Sequence, residues 1–169
     1  KSKRKIREGD LAISTNFDGD VAMIQYSLKP LNKNDKTSMK ETGFIVFDQD
    51  LNKIWQQEQT LPESEKRLDI KSSCIDKNNQ VHFLVKLFHD DSRKDGLKDG
   101  IINHHWEVFT INGESSKIER SKISLQDDLL FKDLKFFEGA DDDIIITGYY
   151  AKSQKDAAAA GAFLFYLSN

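Results

Sequence analysis

The stretch Asp76-Lys77-Asn78-Asn79-Gln80-Val81-His82-Phe83-Leu84-Val85 contains the pattern on which the fold depends, a short polar turn followed at once by an apolar strand. Asp and Asn are common in tight turns, and short runs of β-branched and aromatic residues are typical of strands. The same pattern occurs twice more, at Phe17-Asp18-Gly19-Asp20 before Val21 and at Ala140-Asp141-Asp142-Asp143 before Ile144. The chain therefore repeats a turn and a strand about every 60 residues.

Further strands recur in the same order within each repeat. A fourth strand gives the closest match, because Lys53-Ile54-Trp55-Gln56-Gln57-Glu58-Gln59-Thr60-Leu61 aligns with Lys117-Ile118-Glu119-Arg120-Ser121-Lys122-Ile123-Ser124-Leu125. Hairpin-joined strands of this kind indicate units of four antiparallel strands. The predicted repeats span residues 11–61, 70–125 and 131–167. The strand that follows those opening at Val21, Val81 and Ile144 recurs as Phe44–Phe47, Trp106–Phe109 and Phe163–Tyr166.

These units, together with the segment from Phe47 to Trp55, resemble the repeats of β-propellers of the broad kelch/WD40 type, as in uncharacterised bacterial propeller-like proteins. Neither the Gly-His and Trp-Asp signature of WD40 nor the double Gly of kelch is present, so no subfamily is indicated. The resemblance implies an all-β fold of about three four-stranded antiparallel blades, in a propeller or a propeller-like arc. Residues 3–8 lie where a closing strand would be expected. The alternative fold is a β-sandwich with long loops.

Composition excludes several classes of protein. The chain has 169 residues, which predicts a single domain over residues 1–169, and it is 38% hydrophobic and 31% charged. A formal net charge of -3 gives no reason to expect nucleic acid as a partner. No run approaches the about 18 apolar residues of a membrane span. The single cysteine, Cys74, cannot form an internal disulfide, and we expect it to pack as a small apolar residue.

Long polar loops supply the predicted binding residues. In a propeller the loops between second and third strands gather on one face, and here they are Lys29–Thr42, His89–His104 and Lys152–Gly161. Binding residues are common on such loops. Trp55 aligns with Glu119, which indicates a solvent-accessible position on the rim that a partner could contact. The predicted binding residues are Trp55, His89, Asp90, Asp91, Asp95, Asp99 and His104.

Neither a metal nor a cofactor is predicted. Imidazoles and carboxylates in the second loop are suitable zinc ligands, but no regular spacing forces them together. His104 and His105 are adjacent, so in a strand their side chains point to opposite faces. The turns at Asp18-Gly19 and Asp141-Asp142-Asp143 are explained by hairpin chemistry alone. No nucleophile elbow, phosphate loop or His-Glu-x-x-His motif occurs, so no catalytic residue is predicted.

The sequence therefore predicts a non-enzymatic β-propeller segment that acts as a binding or scaffolding module through its long loops. Its expected ligand is a protein or a carbohydrate. One alternative is a propeller-based hydrolase or lyase that uses loop carboxylates or His, and another is a purely structural segment of a surface protein. Three units do not complete a propeller of about four to eight blades, which predicts a homodimer or a longer propeller. The resemblance and the lack of an initial Met favour an extracytoplasmic location.

Overall fold

The structure is a computed structural model that describes residues 5–29, 38–94, 97–98, 101–115, 117–126, 129–139, 143–153, 155–156 and 158–167. Within these ranges the regular elements are all β-strands. They are β1 (Ile6–Thr15), β2 (Val21–Leu28), β3 (Met39–Asp48), β4 (Lys53–Ser64), β5 (Leu68–Ile75), β6 (Val81–Phe88), β7 (Leu97–Lys98), β8 (Ile101–Ile102), β9 (His104–Ile111), β10 (Ile118–Ile123), β11 (Leu130–Glu138), β12 (Ile144–Ala151) and β13 (Gly161–Leu167).

The strands form three antiparallel sheets, which confirms the all-β prediction and fits roughly three blades. Sheet 1 has the order β1-β2-β3-β4, sheet 2 has the order β5-β6-β9-β10, and sheet 3 has the order β11-β12-β13. Within each sheet, the strands pair in the order in which they follow one another along the chain. The small β7–β8 hairpin is inserted between β6 and β9. The described strands do not form a closed ring of sheets.

The N-terminal segment differs from the prediction of a separate closing strand at residues 3–8. Ile6 lies in β1 and pairs with Leu28 of β2, so this segment extends the first strand of sheet 1. The register shifts between Ile6 and Leu11, and Gly9 lies there with a φ of +85°. A bulge that uses a left-handed glycine therefore joins two stretches that look separate in the sequence. Residues 1–4 lie outside the described residues.

Two apolar layers hold the sheets together. The first lies between sheets 1 and 2 and includes Met23, Phe44 and Val46 from one side and Phe83 and Phe109 from the other. The second lies between sheets 2 and 3 and is built around the residues Cys74, Leu84, Val108, Ile123, Phe136, Ile144 and Ile146. All eight residues of β6 are buried, because sheet 2 is covered on both faces.

The strand register shows that the three sheets are equivalent. Each first turn is closed by one backbone hydrogen bond, from Asn16 N to Val21 O, from Asp76 N to Gln80 O and from Gly139 N to Asp143 O. The turn of sheet 1, between β1 and β2, is one residue longer than the equivalent turns of sheets 2 and 3. Ala22, and not Val21, therefore corresponds to Val81 and Ile144. Two residues further along, the cross-strand pairs Ile24–Ile45, Phe83–Phe109 and Ile146–Phe165 occupy the same row of each sheet.

This equivalence defines a back face and a front face for every sheet. The back face carries Ile24, Phe83 or Ile146, and the front face carries their neighbours Met23, His82 or Ile145. The back face of sheet 2 packs on the front face of sheet 1, and the back face of sheet 3 packs on the front face of sheet 2. The sheets therefore stack head to tail, and the back face of sheet 1 and the front face of sheet 3 remain outermost.

Truncation of Phe83 tests the packing of the first layer. Phe83 is fully buried and its ring lies 5.2 Å from that of Phe44, so Phe83→Ala should lower the free energy of unfolding by about 3–5 kcal/mol. The matched control is Ile13→Ala on the outer back face of sheet 1, which should cost less than about 1 kcal/mol. Urea unfolding measures both. Equal losses at the two positions would contradict the assignment of inner and outer faces.

Candidate functional site

The described acidic residues of the second loop are engaged in contacts within the chain. The Asp90 carboxylate accepts hydrogen bonds from the Ser92 amide at 3.0 Å and from the Asn103 side-chain amide at 2.9 Å. Asp91 accepts a hydrogen bond from Arg67 Nε at 3.0 Å. These contacts tie the loop to the connection between β4 and β5. The predicted binding residues Asp95 and Asp99 lie outside the described residues.

His89 is paired with His105 and not with the predicted His104. His89 Nε2 lies 3.2 Å from His105 Nδ1, whereas the ring of His104 lies against Phe88 and Trp106 on the other face of β9. The prediction that His104 and His105 point to opposite faces is thus correct. The histidine that contacts His89, however, is His105 and not the predicted binding residue His104. The pairing of Leu87 with His105 between β6 and β9 brings His105 beside the end of β6.

His105 begins a chain of polar contacts on the back face of sheet 2. His105 Nε2 lies 2.9 Å from Glu107 Oε1, and Arg120 donates two hydrogen bonds to Glu107, from Nε at 2.6 Å and from Nη2 at 3.0 Å. Arg120 also lies 3.9 Å from Glu63 of β4. Through its contacts with Glu107 and Glu63, Arg120 therefore links sheets 1 and 2 at the margin of their apolar layer.

The pKa values of this cluster follow from its contacts. Burial alone would raise the pKa of Glu107, but the hydrogen bonds and charges of Arg120 and His105 outweigh it, so the pKa lies below its ordinary value. The hydrogen bonds that Arg120 donates to Glu107 raise the pKa of Arg120. Burial, followed by the charges of His105 and Lys122, lowers the pKa of His89. The cluster is an Arg–Glu ion pair with the two histidines beside it, which suits a structural brace.

A second polar cluster connects Asp76, His82 and Thr110, all in sheet 2. His82 Nε2 lies 3.0 Å from Asp76 Oδ2 and His82 Nδ1 lies 3.0 Å from Thr110 Oγ1, and His82 and Asp76 are buried. A neutral ring protonated at Nε2 satisfies both contacts, donating to Asp76 and accepting from the Thr110 hydroxyl. Asp76 also accepts the Gln80 amide at 2.7 Å, so His82 holds the residue that closes the turn.

This cluster borders a cavity of about 350 Å³ between sheets 2 and 3, which Ile144 and Leu167 close from the side of sheet 3. A His held by an Asp and touching a hydroxyl is the arrangement that activates a nucleophile in triad enzymes. Thr110 is therefore the one hydroxyl in this cluster that a hydrolase would use. The sequence itself indicates the Asp76–His82 pair. Asp76 begins a tight turn, and His82 follows six residues later near the start of the next strand.

Trp55 lies half-buried on β4, the edge strand of sheet 1. Its ring packs against the first apolar layer, its indole N–H donates to the Asn79 carbonyl at 3.0 Å, and it closely approaches Gly113. A cleft of about 470 Å³ lies beside it, lined mainly by the turn residues Asn78, Asn79, Gln80, Asn112, Gly113 and Glu114. Trp55 thus joins sheets 1 and 2, and both cavities are at the end with tight turns, away from the long loops.

The two outer sheet faces carry several of the exposed large apolar side chains of the described residues. On the back face of sheet 1, Leu11 is 58% exposed and Ile13 is 68% exposed, next to the half-buried Ile24 and Ile45. The front face of sheet 3 presents a mainly aromatic set, consisting of Phe137, Tyr149, Leu164 and Tyr166, all of which are exposed. Contiguous exposed apolar patches occur at interaction sites, in ligand-binding grooves and at surfaces prone to aggregation. The sequence indicates these apolar surfaces, because apolar residues occupy both faces of the strand segments Leu11–Ile13 and Phe163–Leu167.

Two kinds of feature are absent from the described ranges. No group of three or more His, Cys, Asp or Glu side chains there is arranged to hold a metal ion. No helix in the same ranges has the length and apolar character required to cross a membrane. Cys74 is buried, and burial followed by the charges of Glu138 and Asp76 raises the pKa of its thiol, as expected for a packing residue. Comparisons with protein-family models, curated proteins and solved structures gave no significant match.

Glu107 should make the stability of the chain dependent on pH in the acid range. Its pKa is lower in the folded chain than in the unfolded chain, so its contribution is complete above about pH 4.5 and is lost as the pH falls through the folded value. Glu107→Gln should cost about 1–3 kcal/mol at neutral pH and should weaken this acid dependence. The exposed Glu119→Gln is the control. Parallel pH profiles for Glu107→Gln and the native chain, from urea unfolding, would contradict the ion pair.

His82 should contribute mainly to stability. His82→Ala leaves the buried Asp76 carboxylate without its ring partner, so we expect a loss of about 3 kcal/mol in urea unfolding. Ser121→Ala, which borders the same cavity, should change stability by less than about 0.5 kcal/mol. Hydrolysis of an aryl acetate should be equal for Thr110→Val and the native chain. A loss of hydrolysis in Thr110→Val without unfolding would show that the cluster is catalytic.

Proposed function

We propose that this chain is a β-propeller segment that works as a non-enzymatic binding module, and that its two outer sheet faces bind protein. The observation that carries the proposal is the exposure of apolar residues at positions whose equivalents are buried in the other sheets. Ile13 corresponds to Phe136 in sheet 3, and Leu164 corresponds to Val108 in sheet 2. Phe136 and Val108 are buried in the second apolar layer.

The propeller assignment is supported by the way the sheets stack. Blades of a propeller pack face to face around a centre that is lined by their first strands. Here β5 contacts both β1 and β11, the first strands of the neighbouring sheets. The turn between β1 and β2 also reaches sheet 3, where the Phe17 amide donates a hydrogen bond to the Glu138 carboxylate. These contacts bring the three first strands together at one side of the stack.

Protein is a better match than carbohydrate for these surfaces. Carbohydrate recognition requires polar groups that match hydroxyls, and the outer faces offer mainly aliphatic and aromatic side chains. The cleft beside Trp55 has such polar groups, but the indole N–H already donates to Asn79 and Gly113 covers the ring. Asp90 and Asp91 are likewise engaged within the chain. A purely structural role would leave the two outer faces without a partner.

A hydrolase is the second candidate function, and one observation favours it. His82 lies within hydrogen-bond distance of both Asp76 and Thr110, beside a cavity between two sheets. Against it, the Asp76 carboxylate also closes the turn through the Gln80 amide, which is a sufficient structural reason for the pair. The hydrolysis assay with Thr110→Val separates catalysis from this structural role.

Site-specific photocrosslinking in the producing cells tests the binding proposal. A benzophenone side chain at position 13 or 164 should form adducts with protein, because both positions lie on the outer faces. Positions 92, in the long loop, and 51, in an exposed tight turn, are the controls. Adducts from position 92 alone would place binding on the loops and contradict the proposal. Absence of adducts from positions 13 and 164 would contradict it as well.

A further inference from the structure

We infer that the partner on the outer faces is a second copy of this chain, bound head to tail. The front face of sheet 3 in one copy packs on the back face of sheet 1 in the next. This inference rests on the proposed function, because it names the protein that the outer faces bind. It commits to one pair of surfaces, the aromatic set of sheet 3 and the Leu11 and Ile13 face of sheet 1.

The two interfaces inside the chain provide the main argument. Both join a front face to a back face, and equivalent positions contribute to both layers, Phe44 and Val108 on the front faces and Phe83 and Ile146 on the back faces. In the first, Val46 and Met23 of sheet 1 lie opposite the layer that contains Phe83. In the second, Leu84 and Val108 of sheet 2 meet the layer that contains Ile146. The stack leaves one front face and one back face without a sheet, and a second copy supplies the complement of each.

The side chains of the two outer faces are also complementary in kind. On the back face of sheet 1 the exposed side chains Leu11 and Ile13 are aliphatic and lie beside Ile24, Ile45, Phe47 and the buried Tyr26, whereas the front face of sheet 3 is mainly aromatic. The second interface inside the chain has the same combination, since the aliphatic Leu84 and Val108 share a layer with Phe163 and Phe165. Mixed aromatic and aliphatic surfaces pack densely because branched side chains fill the gaps between rings. An interface between copies can therefore repeat a packing that the chain already uses.

Head-to-tail contact has a specific consequence for assembly. A twofold dimer would pair one face with itself, which neither internal interface does. A contact between two different faces continues from copy to copy and stops only when the rotation closes a ring. Two copies contribute six sheets, which is within the range of about four to eight blades in closed propellers. The expected assembly is a closed ring or an array that grows with concentration.

Two single-face variants test the inference. Ile13→Glu introduces a charge into the back face of sheet 1, and Leu164→Glu introduces one into the front face of sheet 3. Each should weaken self-association at least about 100-fold, because burial leaves the new carboxylate without a partner. Leu51→Glu makes the same type of change at an exposed turn and should leave assembly unchanged. Light scattering coupled to size exclusion measures the masses, and circular dichroism verifies that each variant is folded.

Mixing the two variants gives the decisive result. Ile13→Glu retains a competent front face and Leu164→Glu retains a competent back face, so the mixture should form a one-to-one heterodimer from two monomers. Persistent self-association of either variant alone would indicate a twofold contact and overturn the inference. A native chain that stays monomeric over about a hundredfold range of concentration would overturn it too. The milder pair Ile13→Ser and Leu164→Ser serves if either Glu variant unfolds.

The crosslinking experiment separates failure of this inference from failure of the proposed function. Adducts from positions 13 and 164 that contain a different protein, with a monomeric native chain, would retain the binding module and reject the second copy. Adducts of the chain with itself at both positions support the head-to-tail contact. No adduct at either position would reject both proposals.

Discussion

The whole stack depends on the burial of both faces of β6. Val81 and Phe83 require an apolar layer on one side of this strand, and Leu84 requires one on the other. A strand that is apolar on both faces needs a covering layer on each, because exposure of either face would forfeit its hydrophobic stabilisation. Sheets 1 and 3 supply these layers. The strands of sheets 1 and 3 also carry apolar residues on both faces. Apolar side chains are therefore exposed on the two outer faces of the stack.

Repetition of one register extends this requirement to the outer faces of the stack. The rows that contain Ile24, Phe83 and Ile146 are equivalent, so each sheet carries the same two kinds of surface. Two of the three back faces and two of the three front faces are covered inside the chain. Polar contacts such as the Glu107–Arg120 ion pair stabilise the margins of these interfaces. The apolar layers determine which faces meet, and they leave the outermost pair of faces without a covering sheet.

The strands and their order could be predicted because they depend on local signals, namely turn residues followed by apolar runs. Features that depend on contacts between strands could not. The partner of His89 depends on the β6–β9 register, which pairs Leu87 with His105. The alignment of Trp55 with Glu119 indicated exposure, yet the approach of Trp55 to Gly113 of the next sheet buries part of its ring. The extra residue in the turn between β1 and β2 could not be recognised from the sequence, because Val21 is itself apolar and resembles the first residue of a strand.

Hydrogen exchange of the backbone amides tests the central position of β6 most directly. If sheet 2 is held between the other two sheets, the β6 amides from Val81 to Phe88 should exchange only through global unfolding and should be the slowest in the chain. Amides of β2 and β12, each covered on one face, should exchange faster. Exchange of β6 at the rate of β2 or β12 would show that sheet 2 is not covered on both faces, and the head-to-tail stack would be contradicted.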